Sequence, residues 1–403
     1  MSSRRAVTVL FGVALAAGFA QFGAVASLND VAHHFGHAIA TGSLRAVVGL
    51  SGSAIGVGLA VVRLASLASM PLAALADRTS RTTVLRRALV FGLLATSAAA
   101  LSPNYWFFVL CFALARPLLT AVSTVVQVIT VEISNASQRI FRLVVMAAGA
   151  GVGSGLSAIL HGLIRGPGSF RWLFALTLVP VALVSPLVRT IVEPRPHESI
   201  AHARLGAVPR DVRARLAIVS LVAFAAGMIT GPANGFAFVY AEGILKIAPH
   251  VVALIVVASA ASGLVGLIAS RYLAHALGRR VTVVLGMVAL AATSTLAYSG
   301  GRVSFIAGYL VGVGAAGLFA PAASALSTEI FRRRVRSTAA GWVSVAGVLG
   351  ATCGLALFGV VGDSVHGVRV DSLRVPALIT FLPLLPTLVL LARVPESRGV
   401  EID

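Results

Sequence analysis

The residues of this sequence that could do chemistry are few, and the most unusual are two arginines in apolar surroundings. Arg63 and Arg116 each lie well inside a long hydrophobic segment. A cation at the middle of a membrane helix costs about 2.5–3.5 kcal/mol on insertion scales, so a compensating role is expected. A guanidinium can bind a carboxylate through two parallel hydrogen bonds. Arg63 and Arg116 are therefore candidate residues for binding an anion; the alternative is that each is bonded to backbone carbonyls.

Arg116 begins a row of polar residues at helical spacing. Thr120, Ser123 or Thr124, and Gln127 follow it, and residues three or four apart share one face of a helix. This pattern predicts a cavity-lining face.

The face of Arg63 is different, because it is shared with Gly52, Gly56, Ala60 and Ser66. Small residues of this kind favour close contact between helices. Four further polar residues interrupt apolar segments and are candidate cavity residues: Gln21, Thr230, Asn234 and Tyr309. Gln21, Asn234 and Tyr309 are candidate substrate contacts.

Three titratable residues are candidates for proton coupling. Asp30 and Glu242 follow corresponding apolar segments in the two halves of the chain, and His161 lies near the end of another segment. Imidazole titrates near neutral pH. The alternative for the two acids is that they are solvated loop residues. We expect no metal site and no cofactor.

The elements that position these residues must be membrane helices. The chain has 403 residues, of which 58% are hydrophobic and only 11% charged, against about 25% charged in soluble domains. Continuous apolar runs exclude a β-barrel, whose strands alternate. Twelve transmembrane helices are predicted at 6–28, 46–70, 84–101, 105–129, 143–164, 170–192, 216–240, 250–273, 281–299, 303–326, 338–361 and 375–392. The boundary between the third and fourth depends on Ser102-Pro103-Asn104.

The cations indicate the orientation of these spans. With the N-terminus in the cytoplasm, 23 of the 32 Lys and Arg residues lie on the inner side and 7 on the outer side, as the positive-inside rule requires. The formal charge of +19 is therefore explained by topology rather than by nucleic-acid binding. Thirty-one arginines against one lysine suggest a GC-rich bacterial genome, and thus a bacterial plasma membrane.

The chain reads as two halves with related sequences. Residues 77–81 match residues 275–279 at an offset of 198, and Glu132 with Arg139 matches Glu329 with Arg336 at an offset of 197. A parallel repeat of six helices is typical of transporters. We expect two pseudo-symmetric six-helix bundles, 1–192 and 216–403, joined by a cytoplasmic linker at 193–215.

Several segments of the sequence resemble the signature motifs of a known protein family. The segment Ala73-x-Leu75-Ala76-Asp77-Arg78-x-Ser80-Arg81 resembles the G-x-L-A-D-R-x-G-R-R signature of the major facilitator superfamily, with Ala73, Ser80 and Thr82 departing from it. Two other segments resemble the loop after helix 10 and the tail after helix 12 in that superfamily: 329–341 and 395–401. Arg116 occupies a position similar to the arginine of the R-x-x-x-G motif in helix 4, although Thr120 replaces the glycine.

The resemblance implies a secondary transporter that works by alternating access, with a charge network that holds one conformation. The residues that it assigns to this conformational latch are Asp77, Arg78, Arg81, Glu132, Arg139, Glu329 and Arg336. The alternative for the arginines is simple anchoring at the inner surface. No nucleotide-binding loop G-x-x-x-x-G-K-[ST] occurs, and no enzyme constellation is evident at membrane depth. We expect a monomer that contacts lipid and a small-molecule substrate.

Three functions follow from these observations. The first is transport of a small organic anion coupled to protons, because two cations and no acid lie at membrane depth. The second is proton-driven multidrug efflux; the run Gly149 to Gly155 is similar to the antiporter signature G-x-x-x-G-P-x-x-G-G, but Ser154 replaces its proline. The third is a membrane sensor that does not transport.

The charge count generates a prediction about topology: both termini should be cytoplasmic. A reporter enzyme that is active only in the periplasm should be inactive when fused after Asp403. Activity of that fusion would contradict the assigned orientation.

Overall fold

The computed structural model describes residues 3–36, 48–135, 138–164, 168–191, 210–331, 335–364 and 372–393. Regular secondary structure within these ranges is entirely helical. The helices of the first half are α1 (Ser3–Ala26), α2 (Leu28–Phe35), α3 (Gly52–Ala65), α4 (Ser69–Arg78), α5 (Arg81–Ala98), α6 (Tyr105–Glu132), α7 (Arg139–Leu163), α8 (Ser169–Ala175) and α9 (Leu178–Val188).

The second half begins with a long helix that gives way to a π-helical segment, Val239–Ile244. Its α-helices are α10 (Arg210–Gly235), α11 (Pro249–Ala276), α12 (Arg279–Ala297), α13 (Arg302–Glu329), α14 (Arg336–Ser364), α15 (Arg374–Ile379) and α16 (Leu384–Leu391).

Twelve helical stretches of the described residues are long and apolar enough to cross a membrane. They confirm the all-α fold with twelve transmembrane helices. Three of them combine two helices each, and the helices involved are α3 with α4, α8 with α9, and α15 with α16. The predicted boundary between the third and fourth spans is correct: the side-chain oxygen of Asn104 accepts a hydrogen bond from the backbone N–H of Phe107 at 2.9 Å, which caps the N-terminus of α6.

The second span differs from its prediction. It runs over Gly52–Arg78 rather than over 46–70. Hydropathy marks only the apolar part of a helix, whereas backbone hydrogen bonding carries α4 on through Asp77 and Arg78. As a consequence Arg63 lies close to the middle of its span.

The chain forms two compact units. Unit 1 comprises Met1–Gly36, Val61–Ile200 and Ala248–Ala253, and unit 2 comprises His37–Ala60, Ala201–Ile247 and Leu254–Asp403. Most of the expected bundle 1–192 thus lies in unit 1, and most of 216–403 lies in unit 2. The expected linker 193–215 falls largely on residues 192–209, which are outside the described ranges.

In unit 1 the closest helix contact joins α1 and α7. A Cβ atom at Gly18 would overlap the carbonyl oxygen of Ala150, and one at Gly153 would overlap the carbonyl oxygen of Leu15. Glycine is therefore required at both positions for the two backbones to touch. The apolar core beside this contact is built from α1, α5 and α6.

Unit 2 repeats the arrangement with α10 and α14. A Cβ atom at Gly350 would overlap the carbonyl oxygen of Phe224, and one at Gly354 would overlap that of Met228. Helices α1 and α7 are the first and fifth spans of the first half, and α10 and α14 are the first and fifth of the second. The repeat seen in the sequence thus extends to these backbone contacts between helices.

Not every glycine of these helices marks such a contact. We expect tight seams along Gly149 to Gly155 and Gly341 to Gly354, yet a Cβ atom at Gly151 or Gly341 would meet no other atom within 4 Å. Both glycines lie on a face of the helix that the seam leaves open. The spacing of the glycines therefore predicts more residues at the close helix contacts than the structure shows.

The turn after the π-helical segment contains Lys246, which has a positive φ of 53°. It is the only residue other than glycine with this conformation in the described part of the chain. The side chain of Arg302 donates hydrogen bonds to the carbonyl oxygens of Leu245 at 3.1 Å and Lys246 at 3.2 Å. These bonds hold the turn in place, and the side chain of Lys246 is exposed.

Candidate functional site

Arg63 and Arg116 each lie at an irregular point of their helix. Two residues after Arg63 the α-helix changes to a 3-10 turn, and the hydroxyl of Ser66 donates to the carbonyl oxygen of Arg63 at 2.6 Å. Arg116 is followed by Pro117, which lacks an N–H group and cannot complete the ladder of α6. These two arginines belong to unit 1.

Both arginines lack an electrostatic partner in the described part of the chain. The Nε atoms of both side chains are buried and have no hydrogen-bond partner. The two guanidinium groups repel each other electrostatically. Within the described residues, no acid forms an ion pair with either arginine. The structure therefore brings together two like charges that have no counter-charge within these ranges.

The polar row that begins at Arg116 lies beside this pair. The hydroxyls of Thr120 and Thr124 donate to the carbonyl oxygens of Arg116 at 2.8 Å and Thr120 at 3.2 Å. Thr120 is half-buried, whereas Thr124 and Gln127 are exposed. A hydroxyl that donates to its own helix still has lone pairs with which to accept. The row can therefore accept hydrogen bonds from a ligand.

Gln21, on α1, lies next to the polar row of α6. Its side-chain amide nitrogen lies 3.5 Å from the carbonyl oxygen of Leu119, next to Thr120. The structure thus places five of the candidate substrate contacts in unit 1: Arg63, Arg116, Thr120, Gln127 and Gln21.

Asp30 and His161 are neighbours in unit 1. The Nδ1 atom of His161 lies 3.6 Å from Oδ2 of Asp30, and the hydroxyl of Ser169 donates to the same oxygen at 2.7 Å. His161 is 4% exposed. The separation of 3.6 Å is too long for a hydrogen bond but short enough for a strong interaction with a protonated imidazole. Glu242 is buried in the π-helical segment and belongs to unit 2.

Asn234 and Tyr309 meet at a cavity inside unit 2. The cavity lies among α10, α12 and α13 and has a volume of about 150 Å³. Its polar lining also includes Thr230, Thr293 and Ser294. Sequence reasoning missed Thr293 and Ser294, since α12 contains many small polar residues and no spacing distinguishes these two.

Predicted latch residues form ion pairs in both units, but in unit 2 the partner of Glu329 is Arg279, which was not among the predicted residues. In unit 1 the guanidinium of Arg81 contacts the carboxylate of Glu132 and also that of Asp77, at 3.0 Å. In unit 2 Arg279 contacts Glu329 at 3.2 Å. Each pair joins the start of one span to the end of the next.

The remaining latch candidates are placed differently. Arg78 and Arg139 are exposed, and neither forms an ion pair with an acid in the described ranges. Arg336 begins α14, but its side chain is outside the described part of the structure.

Asp363 is a functional candidate that the sequence did not reveal. Its carboxylate accepts hydrogen bonds from the backbone N–H groups of Gly52 at 2.6 Å and Ser53 at 2.8 Å, so it caps the N-terminus of α3. A Cβ atom at Gly56 would approach the carbonyl oxygen of Leu355 to 2.5 Å. The first part of α3 is thereby fixed against α14 within unit 2.

Comparison with solved structures shows the fold. The nucleoside transporter NupG is 14% identical, with a TM-score of 0.71, over 95% of this chain and 100% of its own. The xylose transporter XylE from E. coli, in an inward open conformation, is 16% identical with a TM-score of 0.74, over 98% of this chain and 96% of its own.

A third structure has the same fold. It is a bacterial homologue of the human lysosomal transporter Spinster, 13% identical with a TM-score of 0.69, over 97% of this chain and 95% of its own. These proteins are transporters, not enzymes. No curated protein sequence matches the chain.

Family comparison covers nearly the whole sequence. The sequence model described as Major Facilitator Superfamily matches residues 10–242 and 216–401. The resemblance of the motifs is thereby confirmed, and the chain belongs to the major facilitator superfamily.

Proposed function

We propose that the protein is a secondary active transporter of a small organic anion, coupled to protons, in a bacterial plasma membrane. The observation that carries this proposal is the pair of arginines in unit 1 whose buried Nε atoms have no hydrogen-bond partner. The family supplies the transporter class and alternating access, and these residues supply the substrate class.

Two like charges without a counter-charge among the described residues destabilise a half-buried site. Withdrawing an unpaired charge from water costs free energy, and mutual repulsion between Arg63 and Arg116 adds to that cost. An anion bound between the two guanidinium groups would remove both costs. A cation would add to the repulsion, which disfavours a cationic drug as the substrate.

The neighbouring side chains suit the rest of an anionic solute. Thr120 presents a hydroxyl that can accept a hydrogen bond, and Gln21 presents a side-chain oxygen and nitrogen. Asn234 and Tyr309, in unit 2, remain proposed contacts for an uncharged part of the substrate.

Replacing Arg116 tests the anion site. The purified protein is first screened for thermal stabilisation by carboxylates, sugars and cationic drugs, and the most stabilising carboxylate is then used for exchange in proteoliposomes. Arg116→Gln should raise the half-saturating concentration roughly ten- to hundredfold, because hydrogen bonds to charged groups contribute about 1.5–3 kcal/mol each. Arg116→Lys should retain part of the activity, since it keeps the charge.

The control is Arg87→Gln, which removes one positive charge at an exposed position of α5. It should leave the half-saturating concentration unchanged. Stabilisation by cationic drugs and by no carboxylate would reject the anion proposal in favour of multidrug efflux. No transport of any stabilising ligand would favour a sensor.

Proton coupling is proposed to depend on Asp30 and His161. The carboxylate and the imidazole lie 3.6 Å apart, and the buried imidazole gains a counter-ion when it takes up a proton. Conformational change that separates the two would release that proton. Glu242, buried in unit 2, is the third candidate.

Asp30→Asn should abolish accumulation driven by a pH gradient while leaving exchange of labelled for unlabelled substrate intact. Exchange needs binding and alternating access but no net proton movement. His161→Gln should behave in the same way, whereas His34→Gln, at an exposed histidine of α2, should keep normal coupling. If gradient-driven accumulation persists in Asp30→Asn, then the coupling site lies elsewhere.

The ion pairs of Arg81 and Arg279 are proposed to hold one conformation of the transporter. Each pair joins consecutive spans at helix ends, where an exposed ion pair contributes about 0.2–1 kcal/mol. Such a pair affects function only if it breaks in the other conformation.

Asp77→Asn should slow transport several-fold while leaving membrane insertion and expression near normal. The mutation removes one of two carboxylates that bind Arg81, so it alters the balance between conformations more than stability. Turnover is measured in proteoliposomes at matched protein density. A turnover equal to that of the wild type would show that Asp77 has no part in a latch.

A further inference from the structure

The cavity inside unit 2 has a composition that specifies its ligand. We propose that it binds an uncharged six-membered ring with hydrogen-bonding groups along one edge. The inference adds a ligand class to Asn234 and Tyr309 and does not depend on the anion site of unit 1.

Its size suits a small ring. The volume is about 150 Å³, and an apolar cavity of that volume is large enough to hold benzene. A ring with one or two small substituents therefore fits.

Its walls are mostly apolar. Side chains of Ile229, Leu290, Val313 and three alanines make up six of the thirteen lining residues, and five others have polar side chains. Burying a ring that carries hydroxyls all around, such as a cyclitol or a pyranose, would leave many of those hydroxyls without partners. A flat ring with one polar edge avoids this cost.

The polar groups of the cavity lie on its three helices. The hydroxyls of Ser294 and Tyr309 form no hydrogen bond within the described ranges, so both are able to donate to a ligand. Asn234 uses its amide nitrogen to donate to the carbonyl oxygen of Thr230 at 2.9 Å. Its side-chain oxygen remains able to accept.

The cavity carries no formal charge. No Asp, Glu, Lys, Arg or His is among its lining residues. A charged ring would lose its hydration without gaining a counter-ion, so the ligand should be neutral.

Two glycines of α13 shape the space. At Gly308 a Cβ atom would overlap the backbone nitrogen of Ala297, so this glycine lets α13 approach α12. At Gly312 a Cβ atom would lie 3.3 Å from the hydroxyl oxygen of Thr293, so any side chain there would project into the cavity. Gly312 therefore keeps the space open.

The experiment uses 2-pyridone, a neutral six-membered ring with an N–H and a C=O on one edge. Binding to the full-length protein in lipid nanodiscs is measured by saturation-transfer NMR titration, with empty nanodiscs subtracted. Saturable binding to the wild type is expected, and myo-inositol, which is polar on every edge, should not bind. The opposite preference would overturn the proposal, as would the absence of saturable binding by 2-pyridone.

Variants locate the site. Gly312→Val should abolish saturable binding by filling the cavity, and Gly341→Val is its control, because a Cβ atom there meets no other atom within 4 Å. Tyr309→Phe keeps the ring but loses the hydroxyl, so affinity should fall about two- to tenfold. If both Gly312→Val and Tyr309→Phe bind as the wild type does, then 2-pyridone binds elsewhere and the inference fails.

Arg116→Gln separates this inference from the anion proposal. That variant should bind 2-pyridone with wild-type affinity, since Arg116 belongs to unit 1. Failure of anion transport with intact 2-pyridone binding, or the reverse, would reject one proposal and leave the other standing.

Discussion

Direct contact between helix backbones is the constraint on which the rest of this structure depends. At Gly153 in unit 1 and at Gly350 in unit 2, the α-carbon of one helix meets a carbonyl oxygen of another. Lipid offers no hydrophobic driving force between helices, so close packing must supply the attraction. Each unit uses this contact between its first and fifth spans. A single methyl group added at this contact would force the two helices apart.

The ion pairs at the helix ends also recur in both units. Arg81 with Glu132, and Arg279 with Glu329, tie consecutive spans together in the two units with equivalent residues. The offset between the two arginines and the offset between the two glutamates are nearly equal. The two halves therefore repeat these contacts as well as the sequence pattern. By contrast, the interiors of the units have diverged: unit 1 holds two arginines, and unit 2 holds an uncharged cavity.

Much of the fold could be predicted from the sequence, because lipid imposes a simple rule on helix length and hydropathy. Twelve spans, the boundary at Asn104 and the latch residues Arg81, Glu132 and Glu329 follow from local patterns. Arg279, the partner of Glu329, was not among the predicted latch residues. The candidate site could be predicted only in part. Arg63 and Arg116 are conspicuous as cations in apolar segments, but their mutual repulsion depends on how α3 and α6 pack.

The remaining residues that the sequence did not predict depend on contacts between distant segments of the chain. The cap that Asp363 forms on α3 joins residues more than three hundred positions apart. Thr293 and Ser294 acquire their role only from the rotation of α12 toward α10 and α13. A single sequence without structure gives no measure of helix rotation, since small residues in membrane helices occur on every face.

The turn at Lys246 has a consequence for labelling chemistry. This residue is the only lysine among 32 cationic side chains, and it stands exposed in a turn that Arg302 holds in place. An amine-reactive reagent therefore finds one lysine in the whole protein. A fluorophore or a spin label attached there would report on the turn between the π-helical segment and α11 without prior mutagenesis. A reagent unable to cross lipid would reveal on which side of the membrane that turn lies.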